Sequence, residues 1–165
     1  MKQREHADAR AVVRSESGFT LIELMMVVLI IAILIAVLMP TFLGARDRAN
    51  DRATQSALRN AVTAAKAVYV DGQNYTDATP VRLNAEGVPV LFVDGVTAPT
   101  NQNMVSIDTP STSYVVISGL SKTGNCFYVS DDVISVGTRF AMQTGVTCEA
   151  GGAPPVGDAA WQAAW

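Results

Sequence analysis

The sequence has few residues of the kinds on which most enzyme and metal sites depend. Its 165 residues include a single histidine and 16% charged residues, against about 25% in ordinary soluble domains. The histidine, His6, lies in a polar N-terminal stretch, so a product without that stretch has no imidazole for acid–base catalysis or metal binding. The net charge is −3 and the Lys and Arg residues form no cluster, which argues against a dedicated nucleic-acid-binding surface.

Sequence motifs for nucleotide binding and for nucleophilic hydrolysis are also lacking. There is no Walker A motif, no dinucleotide-binding fingerprint and no G-x-S-x-G. Four acids near the C-terminus, Asp131, Asp132, Glu149 and Asp158, have no regular calcium-ligand spacing. We therefore expect no catalytic residues, no metal site and no cofactor.

The two cysteines, Cys126 and Cys148, lie far apart in a polar, turn-rich region and do not form a C-x-x-C motif. This arrangement favours a structural disulfide over a redox or zinc site. A disulfide between them predicts an oxidising, external location, and chain-entropy arguments give it about 3 kcal/mol of stabilisation.

The chain is 49% hydrophobic, and its one long apolar run spans residues 19–39. The only polar side chains of this run are Thr20 and Glu23, and about 20 apolar residues in a helix cross a hydrocarbon core of roughly 30 Å. Basic residues before the run predict that the N-terminus lies in the cytoplasm. A secretory signal peptide fits poorly, because its apolar core is usually about 7–15 residues long. A plain anchor fits the length but does not explain Glu23, since a carboxylate there costs about 2.5–3.5 kcal/mol.

The six residues from Gly18 to Glu23, GFTLIE, directly precede the apolar residues LMMVVLIIAILIA. This pattern resembles the class III signal of type IV prepilins. The resemblance implies that a prepilin peptidase cleaves between Gly18 and Phe19 and that Phe19 is then N-methylated. It also implies that Glu23 neutralises the N-terminal ammonium of Phe19 in a neighbouring subunit during assembly.

Two further positions of the apolar helix bear on this resemblance. Pro40 matches the family pattern, and a proline inside a helix removes one backbone hydrogen bond and loosens the preceding turn. Ala32 departs from it, because a glycine is common there, so local melting of the helix on assembly is less favoured. The resemblance covers roughly residues 14–70.

The resemblance implies a structural role. The chain is expected to be a subunit of a type IV pilus-like filament, with itself, the prepilin peptidase, the pilus assembly platform and the membrane as partners. The precursor would lie in the cytoplasmic membrane and the mature form in an extracellular pilus, where adhesion or twitching motility would be a property of the fibre. The alternatives are a minor pilin or pseudopilin of a secretion or competence system and, in another class, a single-pass membrane-anchored binding domain.

The expected fold class is α+β, with a long N-terminal helix packed on a small antiparallel β-sheet. The boundaries are a cleaved leader at 1–18, a membrane and assembly segment at 19–43 and an extracytoplasmic domain at 44–165. Within that domain, helix 44–70 carries alanines at a spacing of four, from Ala49 to Ala65, and Asp71 and Gly72 end it.

Short β-branched or aromatic runs after the helix predict about four antiparallel strands within residues 88–142, followed by a disulfide loop and a loosely docked tail. The run at 88–93 is the least regular, because Pro89 cannot donate a ladder hydrogen bond. The other runs are at 104–107, 114–117, 126–129 and 133–136.

Overall fold

The computed structural model describes residues 18–165, so all of the expected leader except Gly18 lies outside the described part of the chain. Residues group into two compact units, with the boundary between Thr41 and Phe42. The helices are α1 (Leu21–Gly72) and α2 (Pro80–Ala85), with short 3-10 turns at Tyr75–Asp77 and Ala150–Gly152. The strands are β1 (Leu91–Asp94), β2 (Met104–Ser111), β3 (Tyr114–Leu120), β4 (Asn125–Asp132) and β5 (Gly137–Thr144).

In the first unit, α1 is apolar on every side. It contains a window with a mean hydropathy of 3.2, long and apolar enough to cross a membrane, and none of that window is buried. The helix begins at Leu21, two residues later than expected, and it continues through Pro40. A helix that is hydrophobic all round needs a partner other than water.

In the second unit, one face of α1 packs on the sheet. Its buried residues are Thr54, Ala57, Leu58, Ala61, Val62, Ala65 and Val68. Of the alanines at a spacing of four, Ala57, Ala61 and Ala65 are buried, whereas Ala49 and Ala53 are exposed. Because residues at a spacing of four advance about 40° beyond a full turn at each step, five of them cannot share one narrow face.

The sheet has five strands in the order β1-β2-β3-β4-β5, and not about four. β2 to β5 form an antiparallel meander, whereas β1 pairs with β2 in parallel, with Leu91 opposite Met104. The prediction of a wholly antiparallel sheet is therefore wrong at its first edge. Pro89 lies just outside β1, where its missing N–H costs no ladder bond.

The predicted strand at 133–136 is also wrong, because these residues form the tight turn between β4 and β5. The Asp132 carboxylate accepts hydrogen bonds from the backbone N–H of Ile134 and from the Ser135 hydroxyl, at 2.9 and 2.6 Å. Gly137 follows with φ of +67°, a conformation that favours glycine. The fifth strand begins there and extends to Thr144.

Both faces of the sheet are buried. The face towards α1 carries the main core, which includes Val105, Ile117 and Phe127. The opposite face, called here the outer face, is covered by the segment after β5, with Tyr128 and Trp161 among its buried residues. The domain thus has a helix layer, a sheet layer and a layer of irregular C-terminal chain.

The C-terminal tail is firmly docked, which corrects the expectation of a loosely docked terminus. Trp161 is buried on the outer face, and Gln162 exchanges two backbone hydrogen bonds with Phe140 at the edge of β5, at 2.7 and 2.8 Å. Trp165 then packs against Phe127 and Phe140, with ring centroids 5.1 and 4.9 Å away. The tail therefore passes around the sheet edge from one face to the other.

The other edge of the sheet is closed by a side chain. The Asn84 amide of α2 donates to the Phe92 carbonyl oxygen at 3.0 Å and accepts from the Phe92 N–H at 2.8 Å. It replaces the backbone of a neighbouring strand at that position of β1. The whole arrangement is the predicted α+β fold, a long N-terminal helix packed against a mostly antiparallel sheet.

Candidate functional site

The residues around the predicted cleavage point are exposed and precede the helix. Gly18, Phe19 and Thr20 are not helical, and α1 begins immediately after them. A Cβ added at Gly18 would meet no other heavy atom within 4 Å. The packing of residues 18–165 thus does not require glycine at this position.

Thr20 and Glu23 form the start of the helix together. The Glu23 N–H donates to the Thr20 hydroxyl oxygen at 3.2 Å, and that hydroxyl donates to Glu23 Oε2 at 3.5 Å. Their spacing, T-x-x-E, is that of a capping box, in which polar side chains satisfy the free N–H groups of a first helical turn. The sequence contained this signal, and it gives Glu23 a local role beside the one that the resemblance implies.

Large apolar side chains surround Glu23 and are open to the exterior. Phe19 is 80% exposed and Leu21 is 77% exposed, and Val27, the least exposed large apolar residue up to Leu43, is still 46% exposed. An apolar surface of this extent marks a site of contact with lipid or with other apolar helices. The carboxylate is thus the one ionisable side chain on an otherwise apolar helical surface between residues 19 and 43.

Pro40 lies inside α1 near the end of this apolar surface. It has no N–H for the ladder, yet the helix continues, and the Thr41 hydroxyl donates to the Leu38 carbonyl oxygen at 2.8 Å. Ala32 lies in unbroken helix. Both positions are therefore helical in the described chain.

The cysteines of the second unit are joined in a disulfide bond between Cys126 and Cys148, with Cα atoms 5.4 Å apart. Cys126 lies on β4 and Cys148 lies after β5, so the bond fastens the C-terminal segment to the outer face of the sheet. The Ser118 hydroxyl donates to the Cys148 carbonyl oxygen at 2.9 Å and supports the same attachment. This finding fits the structural disulfide expected from the sequence.

A polar cluster that the sequence did not reveal connects α1 to the sheet. The Lys66 ammonium lies 2.9 Å from Asp131 Oδ1, and the Thr138 hydroxyl donates to the same oxygen at 2.6 Å. The Tyr75 hydroxyl donates to Oδ2 at 2.6 Å. No local spacing in the sequence reports this cluster, because the partner of Lys66 lies on β4.

Protonation of this cluster is set by burial and hydrogen bonding. Burial disfavours the Asp131 carboxylate, but hydrogen bonds from Thr138, Tyr75 and Lys66 outweigh it and hold the pKa of Asp131 below its usual range. Burial, aided by the hydrogen bond to Asp131, raises the pKa of Tyr75 far above its ordinary value. The cluster is therefore an ionised acid held by a neutral phenol and an ammonium.

Asp51 makes a second connection between α1 and the sheet. Its Oδ1 accepts hydrogen bonds from Ser121 and Thr123, at 2.6 and 2.5 Å, and its Oδ2 accepts one from the Asn125 amide at 3.1 Å. Like Lys66, Asp51 fixes the helix against the sheet.

The described residues contain no group of three or more His, Cys, Asp or Glu side chains able to hold a metal ion. Of the four acids considered as calcium ligands, the Asp131 carboxylate accepts the hydrogen bond of Tyr75, and the Asp132 carboxylate accepts the backbone N–H of Ile134 in the turn after β4. The polar contacts described for Lys66, Asp131 and Asp51 join α1 to the sheet.

Comparison with known proteins gives one match, and it falls on the N-terminal segment. Residues 13–39 match the prokaryotic N-terminal methylation motif. No curated protein and no solved structure matches the chain. The motif and the α+β arrangement support a structural, pilin-like or pseudopilin precursor that is anchored in the membrane and processed by a prepilin peptidase. Residues 13–39 thus carry a prokaryotic N-terminal methylation motif, which is similar to the class III signal peptide of type IV pilins.

Proposed function

We propose that the chain is the precursor of a structural subunit of a type IV pilus-like filament. Residues 1–18 are a leader that the prepilin peptidase removes between Gly18 and Phe19, and Phe19 becomes N-methylated. Residues 19–43 hold the precursor in the membrane and then pack against the same segment of other copies. Residues 44–165 form the domain on the outer side of the membrane, and the mature protein lies in an extracellular filament delivered by an assembly platform.

The observation that carries this proposal is the single acid on the apolar surface of α1. The apolar side chains around Glu23 are exposed along the whole of residues 19–43. A membrane anchor would explain those side chains but gains nothing from a carboxylate among them. A helix that leaves the bilayer to pack against its own copies can use the carboxylate to neutralise an N-terminal ammonium.

Local capping does not replace this role. The capping bond uses the Thr20 hydroxyl and the Glu23 backbone N–H, so it persists with any side chain at residue 23. Glutamine also serves at this position of a capping box. The negative charge of Glu23 is thus separable from its contribution to the helix start.

This separation gives the test. We expect Glu23→Gln to insert, to be cleaved and to keep a folded outer domain, while its fibre yield falls at least about tenfold because one partner of a poorly solvated ion pair is lost. Fibres sheared from cells are compared at matched membrane levels of the protein, with cleavage checked by mass spectrometry. Glu86→Gln removes an exposed acid from the second unit and serves as the matched control, with unchanged yield.

Normal fibre yield from fully cleaved Glu23→Gln would contradict the proposal, since a simple anchor should be unaffected or slightly favoured by loss of the charge. The amount of wild-type protein in the fibres shows which kind of subunit the chain is. An abundant protein is a major subunit, whereas a scarce one is a minor pilin or a pseudopilin.

A further inference from the structure

A cavity of about 290 Å³ lies on the outer face of the sheet, away from α1. Tyr114 of β3, Ser130 of β4 and Arg139 of β5 line it from the sheet, and Asp158 and Trp161 line it from the C-terminal segment. Its size is at the lower end of ligand pockets, which run from about 300 to 1,000 Å³. It suits one small, ring-sized molecule.

Arg139 gives the cavity a positive charge with no partner. It lies opposite Ser130 in the strand register and is partly buried. Within residues 18–165 the salt bridges are Lys66 with Asp131 and Arg82 with Asp71, so Arg139 forms no salt bridge in the described part of the chain. A guanidinium presents paired N–H donors whose geometry matches the two oxygens of a carboxylate.

The aromatic residues of the cavity are held in place. The Trp161 indole N–H donates to the carbonyl oxygens of Pro154 and Pro155, at 3.0 and 3.1 Å, which fixes the ring as one wall. Burial raises the pKa of Tyr114, so its hydroxyl remains protonated at neutral pH. The site thus offers rigid aromatic surface and hydroxyl groups beside the guanidinium.

Asp158 restricts which anion can enter. It is exposed at the rim, and its Oδ1 accepts the Ala160 N–H at 2.8 Å, which orients the carboxylate. The negative charge of Asp158 on the same cavity disfavours a doubly charged phosphate more than a singly charged carboxylate. A carboxylate also accepts hydrogen bonds from hydroxyl groups, so Asp158 favours a ligand with hydroxyls next to its acid group.

We propose that this cavity binds an acidic monosaccharide, a hexuronate, with its carboxylate on Arg139 and its ring hydroxyls on Asp158 and Ser130. The ring lies beside Trp161. This inference does not depend on filament assembly, because every residue involved belongs to the second unit.

The test uses the full chain in detergent micelles and follows binding by calorimetric titration. D-glucuronate is the probe, D-glucose is its neutral counterpart and acetate is a carboxylate without a sugar ring. We expect saturable binding of glucuronate, and at least about tenfold weaker binding of both glucose and acetate, since each lacks one set of charge-assisted or hydroxyl contacts.

Two variants link the binding to the cavity. Arg139→Gln should weaken glucuronate binding at least about tenfold, whereas Arg59→Gln, the same change at an exposed position of α1, should leave it unchanged. Asp158→Asn should weaken glucuronate binding but not acetate binding. Near-ultraviolet circular dichroism verifies that each variant is folded.

Three outcomes would overturn the proposal. One is a lack of saturable glucuronate binding by the folded wild-type protein. Another is equal affinity of folded Arg139→Gln and wild type for glucuronate. Equal binding of glucose or of acetate and glucuronate would refute the acidic sugar as the ligand class.

Discussion

The Tyr75 hydroxyl lies 2.6 Å from Oδ2 of Asp131 and donates a hydrogen bond to it. The two residues are 56 positions apart, one in the 3-10 turn after α1 and the other on β4. Because Tyr75 is fully buried and Asp131 is 3% exposed, the bond lies where water cannot replace it. It therefore fixes the turn that follows the long helix to the C-terminal end of β4.

We predict that Asp131→Asn lowers the free energy of unfolding at pH 7 by about 1–3 kcal/mol, because it removes the charged acceptor from two buried donors and an ammonium. The folded-state pKa of Asp131 is depressed, so its stabilisation is present above the unfolded pKa of about 3.9 and is lost as the pH falls through the folded-state value. The wild type should consequently lose more stability below about pH 4 than the variant loses. Denaturant unfolding of the full chain in detergent micelles at pH 7 and pH 3 measures both effects.

Asp47→Asn is the control for this experiment, since Asp47 is an exposed acid on the same helix. Its stability should follow the wild type at both pH values. An Asp131→Asn variant as stable as the wild type at pH 7, with the same acid dependence, would show that the cluster contributes nothing to folding.

A second prediction concerns processing at Gly18. Gly18→Phe should accumulate in the membrane as the uncut precursor, while Gly18→Ala should be cut partly, because the extended backbone of a glycine enters a peptidase groove most easily. Neither change should disturb the fold, since a Cβ at this position meets open space. Intact mass spectrometry of membrane extracts distinguishes the forms, and a mature Gly18→Phe chain that begins at Phe19 would refute the assigned cleavage point.

A third prediction concerns the disulfide bond between Cys126 and Cys148. The mature protein should show no reactive thiol under denaturing conditions until a reductant is added. Removing the bond by the double change Cys126→Ser and Cys148→Ser should cost about 3 kcal/mol, given the sequence separation of 22 residues. Quantitative thiol labelling of the unreduced chain is the measurement, and two reactive thiols per chain would reject the pairing.

The position of α1 and the distribution of its apolar side chains could be predicted, because both are set by residues close together in the sequence. The apolar run and the small-residue face define α1 within a few residues at each end. The turn at 133–136 was mistaken for a strand because its β-branched residues fit a strand, although Asp132 and Gly137 on either side are turn residues. Local turn chemistry prevailed there over β-propensity.

The contacts that fix the helix to the sheet could not be predicted from the sequence. Lys66 and Asp51 resemble the other charged residues of α1 in spacing, and only their partners about 70 positions away distinguish them. The parallel pairing of β1 with β2 could not be predicted either, since a single sequence does not encode strand direction locally. The Arg139 cavity likewise needs the tail folded over the sheet, which no pattern in the sequence indicated.

The two sheet edges have a consequence for crowded copies of this chain. Unpaired strand edges offer free N–H and carbonyl groups, and neighbouring molecules readily join through them into aggregates. Here Asn84 occupies the edge of β1, and Gln162 occupies the edge of β5 at Phe140. At Phe92 and Phe140 the edge N–H and carbonyl groups are already hydrogen-bonded, so a strand of a neighbouring copy has fewer free groups with which to pair.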